Sequence, residues 1–366
     1  MPRDCAIHYA VWRLRCDAHP IIRRRGGGHG DTLFLPLALA LVVPSAARSL
    51  GEPTRPEPLA HTFSIVARDP ATGQMGVAVQ SHYFSVGPVV PWAEAGVGAV
   101  ATQSLVLIDY GPNGLALMKQ GLTAQQALDS LVKADAHNEG RQVAMVDAKG
   151  NVATYTGKGA IPFCGHKSGN QYSCQANLMA SDKVWPAMAE AFEKAQGDLA
   201  ERMMQALEAG QKAGGDIRGM QSAAILIVKA QSTGKPWDDR VMDLRVEDSP
   251  QPLKELRRLI KLRRAYDLED QGDNFISEKK PEEALKAYEE AAKIAPDVVE
   301  LKFWAAVSMY TNGREADALK EFREVFSREP QWADLIPRLA EVGMFPNDKK
   351  KIDEVQRQRP HSRISH

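Results

Sequence analysis

From residue 61 the chain alternates. In His61-Thr-Phe-Ser-Ile-Val-Ala-Arg-Asp69, Phe63, Ile65 and Ala67 share one face; Thr62, Ser64, Val66 and Arg68 share the other. That is the period of a strand. Asp69-Pro-Ala-Thr-Gly73 has turn chemistry and residues 74–81 run back, which predicts a hairpin. Residues 97–104 are a small-residue strand with Gly96 and Gly98, the kind that another backbone or a ligand approaches closely. Tyr110-Gly-Pro-Asn-Gly114 reads as a loop before a helix over 115–120, and Thr123 caps a helix over 124–134. Residues 141–147 and 152–156 form a second hairpin, and 173–180 another strand. Amphipathic helices follow at 183–195 and 199–213, the second closed by Gly214-Gly215. Strands at 222–230 and 241–246 complete this body. Hairpins exclude a purely parallel sheet. The order predicts an α+β domain with two antiparallel sheets between helix layers.

Beyond residue 250 the period becomes helical. Residues 250–266 are rich in Leu, Lys and Arg. Ala284, Tyr288 and Pro296 are then echoed 34 positions later by Ala318, Phe322 and Pro330. That is the tetratricopeptide length, with small residues where paired helices touch and Pro closing each unit. Helices are expected over 273–278, 281–294, 298–312 and 315–327, and a partial one over 332–342. Such an array is either a groove for a protein partner or a packing and dimerisation element. The basic, polar residues 346–366 are expected to be disordered.

The N-terminal segment has a different character. Arg23-Arg24-Arg25 precedes an apolar run over 33–43 and then Pro44-Ser-Ala-Ala47. Charge, apolar run and small residues in that order form a secretory signal. The run is shorter than the roughly 20 residues a membrane span needs. The expected organisation is a signal with an extension over 1–47, a Pro-rich linker over 48–60, the α+β domain over 61–262, the helical repeats over 263–345 and a tail over 346–366. The mature protein is expected in the periplasm or secreted, without a membrane span. With 46 basic and 46 acidic residues there is no net charge, which gives no support for nucleic-acid binding. Cys164 and Cys174 are either a disulfide, as an oxidising compartment permits, or two free thiols. No His, Cys and carboxylate grouping has metal-ligand spacing, and no Gly-rich phosphate loop follows a strand, so neither metal nor cofactor is expected.

The blocks HTFSIVARDPATGQMGVAVQSHYFSVG, VPWAEAGVGAVATQS, YGPNGLALM, QANLMAS, GGDIRGMQSAAILIV and VMDLRVEDSP occur in order. Over about residues 61–262 the chain thereby resembles the domain of unknown function 1028 family. The resemblance implies a four-layer αββα sandwich similar to N-terminal-nucleophile hydrolases, and an acyl-transfer chemistry with no defined substrate.

By that resemblance Thr62 is the candidate nucleophile. A free α-amine titrates at about 7.7–8.0, so at neutral pH part of it is ready to take the hydroxyl proton as Thr attacks a carbonyl. Signal cleavage after Ala47 leaves residues before Thr62, so its amine is free only once the His61–Thr62 bond is cut. Ser64 is a second hydroxyl on the same face, a backup nucleophile or an orienting group. Asn177, alone among small and apolar neighbours, is either an oxyanion donor or a strand-end Asn. Gln103 and Ser81 end strands that can line the same cleft, while His82 reads as a surface or core residue. Arg218 and Gln221 form another polar block. Arg218 holds either a substrate carboxylate or Asp216. The expected function is hydrolysis of a non-peptide or small amide C–N bond. The alternative is a non-catalytic binding or scaffold protein that uses the sandwich and the helical repeats.

Overall fold

The computed structural model describes residues 59–360. The signal segment, most of the linker, Cys5, Cys16 and residues 361–366 lie outside the described residues.

The predicted hairpin forms the centre of a six-stranded sheet. Its strands are β2 (Thr62–Arg68), β3 (Met75–Ser81), β8 (Gly165–Gly169), β9 (Tyr172–Ala176), β10 (Ser222–Val228) and β11 (Arg240–Val246), in the order β11-β10-β3-β2-β9-β8. The other sheet contains β1 (Leu59–Ala60), β4 (Pro91–Glu94), β5 (Gly98–Leu105), β6 (Arg141–Asp147) and β7 (Val152–Thr156). Its path is β1-β5-β6-β7. β4 lies on the same edge of β5 as β1, pairing residues 98–101 while β1 pairs Ser104 and Leu105. Every pairing is antiparallel.

The alternation in β2 is a division between two cores. Phe63, Ile65 and Ala67 join Met188, Met203 and Leu256 under α3 (Val184–Lys194), α4 (Leu199–Lys212) and the start of α5 (Pro252–Ser277). Val66 joins Val77, Val79, Ala101 and Val146 in a core shared by strands of both sheets. The polar face of β2 therefore meets no water, and Thr62 and Ser64 are wholly buried. On the far side of the smaller sheet, α1 (Tyr110–Lys119) and α2 (Ala124–Ala134) pack through Leu115, Met118 and Leu128 onto Val100, Val143 and Met145. Gly98 is needed where β5 meets β6 and α1. A Cβ there would stand 2.5 Å from the Val146 carbonyl oxygen and 2.9 Å from Met118 Cε.

The expected loop over 110–114 is instead the first turn of α1. Its two glycines are packing positions, since a side chain at Gly111 would meet the Trp92 ring at 2.4 Å and one at Gly114 would meet Met145 at 2.8 Å. The expected strand over 173–180 stops at Ala176, and Leu178 turns the chain with φ +59°. β1, β4 and β8 carry too short or too polar a pattern to be recognised in sequence.

The C-terminal region is helical: α5, α6 (Pro281–Ile294), α7 (Val299–Thr311), α8 (Glu315–Arg328), α9 (Leu335–Glu341) and α10 (Lys349–Gln356). Residues 250–266 and 273–278, expected as separate helices, belong to one continuous helix of 26 residues. The tyrosine ring of Tyr288 on α6 lies where a Cβ on Gly272 would be, at 2.5 Å, so α6 settles directly on the α5 backbone. Phe303, Tyr310, Phe322 and Phe326 build the core of α7 and α8. The segment from 346 is not disordered up to residue 360. Asp348 accepts the Lys350 amide at 2.8 Å to start α10, and Val355 is fully buried against that core. No described helix is long and apolar enough to cross a membrane.

Candidate functional site

The polar face of β2 is satisfied by side chains from both sheets. Register places Ser64 opposite Gln175 on β9, and Gln103 opposite Gln142 on β6. The Ser64 hydroxyl donates to Gln103 Oε1 at 2.6 Å and accepts from Gln175 Nε2 at 2.6 Å. Gln103 Nε2 donates to Gln142 Oε1 at 2.7 Å and to the Thr62 carbonyl at 3.2 Å. Gln142 Nε2 reaches across to the Ala176 carbonyl at 2.9 Å. All of these side chains are fully buried, so each bond removes a desolvation cost as well as fixing a position. Ser64 is thereby held between Gln103 and Gln175.

Thr62 sits at the end of this network. Its hydroxyl donates to the Ala60 carbonyl at 2.6 Å and lies 3.3 Å from Ser81 Oγ. Its carbonyl accepts from the backbone amide of Asn177 at 3.1 Å. Asn177 Nδ2 donates to Gln142 Oε1 at 3.0 Å, which leaves Oδ1 to accept the His61 Nδ1 proton at 2.7 Å. His61 is buried, and that burial is the largest influence on its imidazole, lowering its pKa. The Asn177 hydrogen bond acts against the shift, and the nearby Arg218 charge adds to it.

The bond between His61 and Thr62 has its own environment. The His61 carbonyl oxygen accepts from Ser81 Oγ at 2.6 Å and from Arg218 Nη2 at 2.8 Å. Arg218 is held by Asp216 through Nε to Oδ1 at 3.0 Å and Nη2 to Oδ2 at 2.7 Å. The Asp216 carboxylate has no exposed surface and also accepts the His82 amide at 3.2 Å. Of the two expectations for Arg218, the ion pair is the one that forms. Its Nε and Nη2 are turned to Asp216, and Nη2 also reaches the His61 carbonyl.

The structure therefore gathers Thr62, Ser64, Ser81, Gln103, Asn177 and Arg218. Gln221 touches Ser81 only with its backbone amide, at 3.1 Å, and its side chain bonds Asp248 near the surface at 3.1 Å. Cys164 and Cys174 are free. Cys174 pairs in register with Lys167, three residues beyond Cys164, which lies just before β8 and so roughly 10 Å away, beyond disulfide reach. Burial pushes the Cys174 thiol well up. Gln142 and Gln175 are site residues with no sequence signal beyond being polar within apolar strands. Only the pairing register shows that they meet Gln103 and Ser64. Among the described residues no group of three His, Cys, Asp or Glu side chains is arranged to hold a metal.

An α+β body of antiparallel sheets, with a buried polar network converging on the first residue of a central strand, is the setting of this site. The chain belongs to the family of unknown function DUF1028, whose profile matches residues 62–256, beginning at Thr62. A crystal structure of a protein of that family from Silicibacter pomeroyi is 27% identical to it, with a TM-score of 0.50 over 55% of this chain and 88% of that one. No curated protein matches the chain.

Proposed function

We propose that this chain is an exported amidohydrolase of the N-terminal-nucleophile type, with Thr62 as nucleophile and the residues up to His61 as a leader that must be removed. The observation that carries this reading is the pair of donors on the His61 carbonyl oxygen, Ser81 Oγ and Arg218 Nη2. Donors placed there stabilise the negative charge that develops when a nucleophile adds to that carbonyl. The Thr62 hydroxyl is the neighbouring nucleophile. Its addition and loss of the Thr62 nitrogen form an ester between Thr62 Oγ and the His61 acyl group. Water then hydrolyses the ester, releasing the leader as a carboxylate and leaving Thr62 with a free amine.

The same atoms then serve an external amide. The Thr62 amine takes the hydroxyl proton as Oγ attacks, and passes it to the leaving amine. Ser81 and Arg218 hold the developing oxyanion, while Asn177 and Gln103 fix the Thr62 carbonyl. The reading is further supported by the packing, in which α1 and α2 lie on one sheet and α3 and α4 on the other, as in an αββα sandwich.

In this reading the C-terminal helices are tetratricopeptide-like pairs that dock a protein partner or a second subunit. A cavity of about 470 Å³ among them is lined by Ile276, Tyr288, Trp304, Val307 and Met344.

Intact-mass analysis of the exported protein tests the nucleophile. A mature chain beginning at Thr62, and a Thr62→Ala variant that keeps its leader and has no amidase activity, are the expected results. Full amidase activity in Thr62→Ala would reject Thr62 as the nucleophile, and a processed wild-type protein without amidase activity would favour the scaffold alternative.

A further inference from the structure

The leader residues next to the cut are bound as a strand. Leu59 pairs with Leu105 and Ala60 with Ser104, antiparallel, on the outer edge of β5. Farther along that edge β4 is already in place, and the Thr102 amide is taken by the Val90 carbonyl at 3.2 Å. Removal of the leader therefore opens a short length of edge at Ser104 and Leu105, whose Thr102 end carries both the His61 carbonyl site and β4. We propose that this vacated edge is the substrate site, and that the substrate is a peptide-type chain whose acyl half binds there as an added antiparallel strand, ending in the carbonyl that Thr62 attacks.

The side-chain requirements follow from what the leader leaves behind. Ala60 is wholly buried in the core between the sheets, so the second position before the attacked carbonyl takes a small side chain. His61 is 4% exposed and bonded to Asn177, so the first position takes a side chain that donates a hydrogen bond. Leu59 is 55% exposed and its place is permissive. An independent feature marks the edge. Ser104, opposite Ala60, is 1% exposed, holds φ at +77° and leaves its hydroxyl without a partner. Non-glycine residues held at positive φ cluster at functional sites, and a buried unpaired hydroxyl is uncommon elsewhere. Strand addition gives affinity through main-chain bonds and selectivity through alternate side chains. This differs from the non-peptide or small amide that the sequence suggests.

The inference rests on Thr62 as nucleophile, and the reaction is the acyl transfer given above, with water as the second reactant. Its test uses the processed protein or, where the leader stays attached, residues 62–366 released from a fusion with a native Thr62 terminus. Three anilides are compared: acetyl-Leu-Ala-His, acetyl-Leu-Leu-His and acetyl-His. The first is expected to be hydrolysed with a kcat/KM about tenfold or more above the second, which overfills the Ala60 place, and well above the third. In hydrogen exchange the β5 residues Ser104 and Leu105 should be protected in unprocessed Thr62→Ala, exposed after processing, and protected again by the peptide Pro-Leu-Ala-His. Amidase activity indifferent to the residue at the Ala place, with no reprotection of β5, would overturn the strand site while leaving Thr62 standing. Reprotection by the peptide with no turnover of any anilide would support the site and reject the nucleophile.

Discussion

Arg218 Nη2 stands 2.8 Å from the carbonyl oxygen of His61, a residue 157 positions earlier in the chain. The contact brings a cation, clamped by a buried carboxylate, onto the carbonyl of the bond that the proposed processing would break.

Ser81 supplies the other donor to that oxygen and is the cleaner one to remove. Ser81→Ala is expected to slow release of the leader about 10²–10³-fold, the usual cost of one oxyanion donor. The fold should lose only about 1 kcal/mol for the missing hydrogen bond. Arg218→Ala would slow cleavage too, but it would also strand the Asp216 carboxylate and cost about 3–5 kcal/mol. A mass-spectrometric time course with a denaturant melt for each variant separates the two effects. Unchanged release in Ser81→Ala would remove Ser81 from the reaction.

His61 makes docking of the leader pH-dependent. Its folded pKa is lowered, chiefly by burial, from the ordinary 6.5. Below 6.5 a free leader binds a proton that the docked leader resists, so docking is at full strength above that value and weakens as pH falls through it. In Thr62→Ala, exchange at Ser104 and Leu105 should be faster at pH 5.5 than pH dependence of the chemical exchange step explains. In a second variant, His61→Gln, that excess should vanish.

Gln142 ties the two sheets together through Gln103, Asn177 and the Ala176 carbonyl. Gln142→Leu leaves the buried Gln103 and Asn177 amides with only their longer bonds to the Thr62 carbonyl and takes a donor from the Ala176 carbonyl. The expected loss is about 2–5 kcal/mol, at roughly 1–3 kcal/mol per orphaned group. It would be read as a lower urea midpoint with unchanged m-value. A midpoint equal to wild type would show that the network is not under strain from solvent exclusion.

Far from the site, Glu269 on α5 has its pKa raised to about 7, first by burial and then by Glu300, Asp273 and Asp270. A carboxyl with a raised folded pKa contributes stability while protonated, and that contribution is lost as pH rises from 4.5 to about 7. Glu269→Gln should therefore stabilise the protein at pH 8, by about 1 kcal/mol once solvent screening of this half-exposed group is allowed for, and do little at pH 5. Thermal melts at the two pH values decide it, and equal shifts at both would contradict the assignment.

Much of the framework was legible in the sequence because it depends on local rules. The β2–β3 hairpin announces itself through alternation and a turn, and β6 and β7 have the bounds that their pattern predicts. What stayed hidden depends on register and on the identity of the opposing surface. Alternation separates the face of Thr62 and Ser64 from that of Phe63 and Ile65, but it does not show that the former points into a second core. Gln142 and Gln175 are two polar residues among many until pairing sets them against Gln103 and Ser64. The turn at Tyr110 looked like a loop because Gly, Pro and Asn are turn residues, yet two of them are there so that a helix can lie against Trp92 and Met145. The leader strand is two residues long, and no periodicity exists in two residues.

One continuous helix, α5, begins under the larger sheet with Leu253, Leu256 and Ile260 and ends among the C-terminal helices. At about 1.5 Å per residue it is a rod of roughly 39 Å with no joint along it. A rod cannot swing as a flexible tether does. A partner docked on the C-terminal helices, as proposed above, would therefore be moored at a set reach from the start of α5, and a catalytic Thr62 would work on a restricted radius around that anchorage, at a high local concentration of whatever is presented there.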